Sequence, residues 1–147
     1  MLRKNPWLPW VETRGKSDSR ACGCVRVIIP TAGRDITRLA RCLDTLQMAA
    51  KDHTFRVVLV LSPDMPEARA ELRRRFKDRA KVIALSGPFN YCASVNAGIR
   101  DFDRRDTHIL ILNDDVEFRT PGDLPRLVHA MRLNGFAGIS PYIENFH

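Results

Sequence analysis

The sequence predicts an α/β protein with a mostly parallel open sheet and helices on both faces. Short β-branched and apolar runs alternate with segments whose apolar residues recur at helical spacing, which implies strands joined by helical crossovers. No apolar run approaches the roughly 18 residues needed to span a bilayer. The 147-residue length suits one domain with a sizeable core.

The elements follow in order. Cys24-Val25-Arg26-Val27-Ile28-Ile29-Pro30 reads as a first strand, closed by the turn Thr31-Ala32-Gly33-Arg34. Ile36, Leu39, Ala40, Leu43 and Leu46 then mark a helix. Phe55 to Leu61 reads as a second strand, stopped by Ser62-Pro63-Asp64. Ala68, Leu72 and Phe76 mark a second helix, Val82 to Leu85 a third strand, and Val95, Ile99 and Phe102 the stripe of a third helix. Ile109 to Leu112 reads as a fourth strand, buried on both faces. Thr120-Pro121-Gly122-Asp123 predicts a helix start with Thr120 as cap, Leu124, Leu127, Val128 and Met131 give its stripe, and Asn134-Gly135 ends it. Phe136 to Ile143 reads as a fifth strand, after which the chain stops and the fold looks truncated. Residues 1–21 show no periodicity and read as a flexible arm carrying Trp7 and Trp10.

The net charge of +7 is concentrated in Arg69, Arg73, Arg74, Arg75, Lys77, Arg79 and Lys81. Such a segment reads first as a solvated helix face and second as a patch for anionic lipid heads or nucleic acid. No nucleic-acid-binding signature accompanies it, so no nucleic acid partner is expected, while peripheral membrane contact is retained as an expectation. The N-terminus has positive charge without an apolar stretch behind it, a poor signal peptide, and the expected location is cytoplasmic or at the inner membrane surface. Cys22, Cys24, Cys42 and Cys92 lack zinc spacing, and Cys42 falls on the apolar side of its helix.

The chemistry concentrates at Asn113-Asp114-Asp115, where the fourth apolar run ends. In an open parallel sheet the carboxyl ends of the strands form one ligand-binding edge. Pro30-Thr31, Ser62-Pro63-Asp64, Gly87-Pro88-Phe89-Asn90 and Asn113-Asp114-Asp115 all fall on it. Neither GxGxxG nor GxxxxGK[ST] is present, so a diphosphate would not be wrapped by a glycine-rich loop. A divalent ion held by Asp115 with Asn113 or Asp114 would neutralise phosphate instead.

Three segments carry a family resemblance. Val27-Ile28-Ile29-Pro30-Thr31, the stretch from Gly87 through Asn90 and Asn96 to Gly98, and Leu112-Asn113-Asp114-Asp115-Val116-Glu117 resemble glycosyltransferase family 2, enzymes of the GT-A, Rossmann-like fold. The resemblance covers about Val25 to Ile143 and makes residues 22–147 the donor-binding half of such a domain. It implies a nucleotide-diphosphate sugar donor, Mg2+ or Mn2+ as cofactor, and transfer to an acceptor hydroxyl, a glycan or lipid-linked one, with inversion. By resemblance Pro30 and Thr31 border the nucleoside, Asn90 and Asn96 lie in the stretch that closes over it, Asn113 and Asp114 face ribose or the metal's water, and Asp115 binds the metal. Asn96 is read equally as a helix-packing residue. The family's aspartate at the end of the second strand is absent, and Asp64 further along the loop is its substitute. No residue matches the family's catalytic base. The alternatives are a non-catalytic nucleotide-binding or interaction module with the same fold and, behind it, a sugar nucleotidyltransferase.

Overall fold

The computed structural model describes residues 23–61, 66–135 and 137–139. The chain runs β1 (Cys24–Thr31), α1 (Ile36–Ala50), β2 (Phe55–Leu61), α2 (Pro66–Phe76), β3 (Ala80–Ala84), α3 (Tyr91–Arg100), β4 (Asp106–Ile111) and α4 (Asp123–Leu133). Every strand pair is parallel, and the sheet order is β3-β2-β1-β4. This is the open α/β sheet expected from the alternating pattern. The N-terminal arm and most of the expected fifth strand lie outside the described residues, and residues 137–139 are not strand.

Side chains of β1 alternate between two layers. Val25, Val27 and Ile29 join Val57, Leu59 and Leu61 of β2 beneath α1, α2 and α4, where Leu39, Leu46, Leu72, Phe76 and Leu124 complete the main core. Ile28 points the other way and joins Val58 and Val60, with Ala97 of α3 against them. Burying each of these large side chains contributes about 1.5–3 kcal/mol. Helices thus cover both faces, but unequally among the described residues.

That inequality corrects one expectation. The fourth strand is not buried on both faces: Leu110 packs against the main core, whereas Ile109 and Ile111 are 42% and 45% exposed. Their register beside Arg26 and Ile28 puts them on the α3 side of the sheet. There α3 packs over β1 and β2 and leaves β4 open.

Two helices also differ from expectation. The buried residues of α3 are Ser94, Val95 and Gly98, while Ile99 and Phe102 are exposed. Gly98 sets this orientation, because a Cβ there would come within 2.5 Å of Ile28 Cγ2. The helix therefore presents its smallest side chains to the sheet. In α4 the start is Asp123, not Pro121, and no side chain caps it; Gly122, at φ 83°, takes the cap position. A left-handed glycine turns the chain into the helix, and Thr120 contributes its carbonyl, which accepts the Asp123 amide at 3.4 Å, rather than its side chain.

At the amino ends of the strands lies a buried ion network. Arg26 on β1 donates through Nε to Asp106 Oδ2 at 2.8 Å and through Nη1 to Asp101 Oδ2 at 2.6 Å, and Lys81 also pairs with Asp101. Burial opposes the charge on Asp106, but hydrogen bonds from the Asp103 amide and from Arg26 prevail and hold its carboxyl below the usual range. Asp101 is lowered in the same way, with burial opposing and the bonds from Lys81 and Arg26 prevailing. The network ties the end of α3 to β1, β3 and β4.

Candidate functional site

The carboxyl edge of the sheet brings together the ends of β1 and β4. Ile28 pairs with Ile111, and the Leu112 amide donates to the Ile28 carbonyl at 3.0 Å. Counting three residues on from each partner of that register reaches Thr31 and Asp114. The Thr31 hydroxyl, in a residue only 2% exposed, donates to Asp114 Oδ2 at 2.6 Å. The same hydroxyl oxygen accepts the Gly33 amide at 3.0 Å, so one buried oxygen ties the turn after β1 to the acidic turn after β4. Gly33 is needed there: its φ is 70°, and a Cβ would come within 2.8 Å of Leu61 Cδ1.

Helix α1 supports the acidic turn from below. Asp35 caps the helix by accepting the Arg38 amide at 2.8 Å. One turn further on, Cys42 Sγ lies 3.6 Å from the Asn113 carbonyl, and Thr45 accepts the Phe118 amide at 3.2 Å while donating to the Cys42 carbonyl at 3.1 Å. Arg41 pairs with Glu117 at 3.1 Å. The Cys42 thiol is pushed up to about 12, first by burial and then by the negative charges of Asp114, Asp115 and Glu117. It is a core thiol, as its place in the sequence suggested, in the field of the acidic turn. Thr45 was not singled out from sequence, where a threonine in an amphipathic helix carries no signal of a tertiary hydrogen bond.

The sequence-predicted residues are distributed as follows. Pro30 and Thr31 are buried at the end of β1, Asp114 is half-buried, and Asn113 and Asp115 are exposed beyond β4. Of these, the hydrogen bond joins Thr31 and Asp114 directly. Asn90 stands at the same edge, exposed, with its side chain capping α3 by accepting the Ala93 amide at 2.9 Å. Asn96 is exposed on α3, so the helix-packing reading does not hold. Asp64 lies outside the described residues. Lys81, a cation that could have faced a phosphate, sits instead at the start of β3 in the Asp101 pair.

The oxygens of Asn113, Asp114 and Asp115 are hard donors of the kind Mg2+ and Mn2+ prefer. Among the described residues no three His, Cys, Asp or Glu side chains converge as a ready-made cage. A magnesium site needs only one or two protein carboxylates when substrate phosphates complete it, so the acidic turn fits such an ion in that form.

A parallel sheet with polar side chains gathered beyond its carboxyl ends defines the open-sheet α/β proteins that take ligands at that edge. Within this class the chain belongs to glycosyl transferase family 2, whose model matches residues 26–145. No curated protein matches the sequence. Solved structures of similar fold include 4-diphosphocytidyl-2C-methyl-D-erythritol synthase from Anaerococcus prevotii, with TM-score 0.58 and 16% identity over 80% of this chain and 54% of that one. Rv0371c from Mycobacterium tuberculosis aligns with TM-score 0.54 and 22% identity over 75% of this chain and 61% of that one. TarS of S. aureus aligns with TM-score 0.54 and 18% identity over 74% of this chain and 20% of that one. The chain therefore spans between one-fifth and about three-fifths of the length of these proteins. Among the described residues no helix is long and apolar enough to cross a membrane.

Proposed function

We propose that the carboxyl edge binds a nucleotide-diphosphate sugar and that the chain supplies the donor-binding part of an inverting sugar transfer to an acceptor hydroxyl. The observation that carries this reading is the hydrogen bond from Thr31 to Asp114, which holds the acidic turn against the end of β1. One Asp114 oxygen is engaged by Thr31, and Asp115 beside it is exposed beyond β4. Asp115 would hold Mg2+ or Mn2+, with Asn113 or Asp114 facing the ribose or the ion's water. The bound ion would stabilise negative charge on the departing diphosphate without a proton transfer. Pro30 and Thr31 would form the wall beside the nucleoside, and Asn90 and Asn96 would approach it from α3. Asp64 takes the part of the absent second-strand aspartate. Removal of the acceptor's proton is left to a base outside the residues named.

Calorimetric titration with UDP-, dTDP- and GDP-sugars, with and without Mn2+, tests this directly. Mn2+ should tighten binding of one donor, and Asp115→Ala should abolish the Mn2+-dependent part of the affinity. Equal affinity in the variant and the parent chain would remove the metal role of Asp115 and the donor reading that depends on it.

A further inference from the structure

Helix α2 carries a charge pattern that neither the core nor the carboxyl edge uses. Ala68, Leu72 and Phe76 hold it to the core. Arg69 and Arg73, four residues apart, form a row on its exposed side, which Lys77 continues in the turn that follows, with Arg74 beside it. Several cations elsewhere are matched with carboxylates, Arg26 with Asp101, Arg41 with Glu117, Arg56 with Asp103 and Arg79 with Asp44, and the exposed cations that are not, such as Arg34, Lys51, Arg100 and Arg104, do not form a row along one helix. Among the described residues Arg69, Arg73, Arg74 and Lys77 have no ion-pair or hydrogen-bond partner. Glu67, Glu71 and Asp78 are also exposed, but at helical spacing Glu71 and Asp78 neighbour Arg74, whereas Arg69, Arg73 and Lys77 have no carboxylate three or four residues away. Like charges four apart on a helix destabilise it. At about 6 Å they also lie within one Debye length, about 8 Å at physiological salt, so their fields add.

We infer that this row docks the protein on an anionic lipid bilayer. This assignment rests on α2 alone and stands or falls independently of the donor site. The row extends over about 12 Å at 1.5 Å per residue, and a plane of lipid phosphates can meet all of it at once. Nucleic acid fits less well. Single strands are bound with aromatic side chains for base stacking, and the aromatic residue of α2, Phe76, is buried in the core. No large apolar side chain of α2 is exposed, so the contact is electrostatic and reversible rather than inserted.

Sedimentation of the whole chain with sucrose-loaded vesicles provides the test. Vesicles of phosphatidylcholine with about 30% phosphatidylglycerol should bind the protein at about 50 mM NaCl and release it near 500 mM, while pure phosphatidylcholine should not bind it. Each cation near such a surface contributes about fivefold in affinity, so the Arg73→Glu/Lys77→Glu pair should weaken binding by at least about 25-fold. The milder Arg73→Gln/Lys77→Gln pair should lose less and guards against misfolding of the reversal variant, which circular dichroism also checks. Arg100→Glu/Arg104→Glu changes the charge equally at another exposed place and should retain most of the binding. Equal loss in that control, equal binding to neutral vesicles, or unchanged binding of both α2 variants would overturn the assignment. So would tighter capture by a single- or double-stranded oligonucleotide than by the anionic vesicles, lost in the same α2 variants.

Discussion

β1 and β4 run side by side, and the end of β1 and the turn that follows β4 each contribute one partner to the same hydrogen bond, yet the surroundings of the two strands differ. All eight residues of β1 are buried, on both faces of the sheet. β4 alternates, with Ile109 and Ile111 open on the α3 side. Thr31 is therefore fixed by packing on every side, while the acidic turn is held by particular attachments: the β1 ladder, the Thr31 hydroxyl, and Cys42 and Thr45 from α1. One wall of the candidate site is a core strand and the other is the outermost strand among the described residues, fastened to it. In open sheets the more loosely covered strand is the one able to adjust when a ligand arrives, and here it is the strand bearing the carboxylates.

The contrast can be broken at its base by removing Arg26, the charged residue that both strands share. Arg26→Met should cost about 3–5 kcal/mol in urea unfolding, because it leaves the buried Asp106 without its cation. The same network sets an acid limit for the parent chain. Asp101 and Asp106 are lowered on folding, so their contribution is present above the unfolded value near 3.8 and is lost as pH falls through the lower folded values. A loss of stability below about pH 3.8, blunted when both aspartates are replaced by asparagine in the Arg26→Met background, is the expected acid profile.

A paired substitution sharpens the comparison. Ile28→Ala on β1 should cost about 2–5 kcal/mol, as a fully buried side chain does. Ile111→Ala, its register partner on β4, should stay within about 1 kcal/mol in the same assay. Equal costs would mean that the open face of β4 is covered in solution. Thr31→Val should cost about 1–3 kcal/mol, less than Ile28→Ala, because it leaves the Gly33 amide without its acceptor and Asp114 without its donor. Its more telling consequence would be weaker Mn2+-dependent donor binding in calorimetry with the Asp115 carboxylate still present.

Much of this arrangement was legible from local pattern. The β-branched runs of β1 and β2 and the spacing of Leu39, Leu43 and Leu46 specify elements that the core then uses as written. That Pro30-Thr31 and Asn113-Asp114-Asp115 share one edge of the sheet followed from strand alternation and the handedness of crossovers; the particular pairing of Thr31 with Asp114 did not. What was not legible depends on neighbours. Whether Ile109 and Ile111 are covered is decided by where α3 lies, and an apolar run reads the same at an edge or in the middle of a sheet. The face of α3 was misjudged because its closest contact is made by Gly98, where a missing side chain rather than a hydrophobic one marks the interface. The ion network of Arg26 was not read from the sequence, because its partners Asp101 and Asp106 lie far along the chain.

The meeting of Thr31 with Asp114 also makes the site sensitive to residue number. Both lie three positions past the paired Ile28 and Ile111, so composition can drift in β4 while length cannot. Deleting one residue between His108 and Asn113 would slide Asp115 into the position facing Thr31 and turn the remaining β4 side chains to opposite faces of the sheet. Substitutions at the exposed positions Ile109 and Ile111 can be absorbed one at a time, but a frame-preserving loss of a single codon would rewire the whole acidic corner in one step.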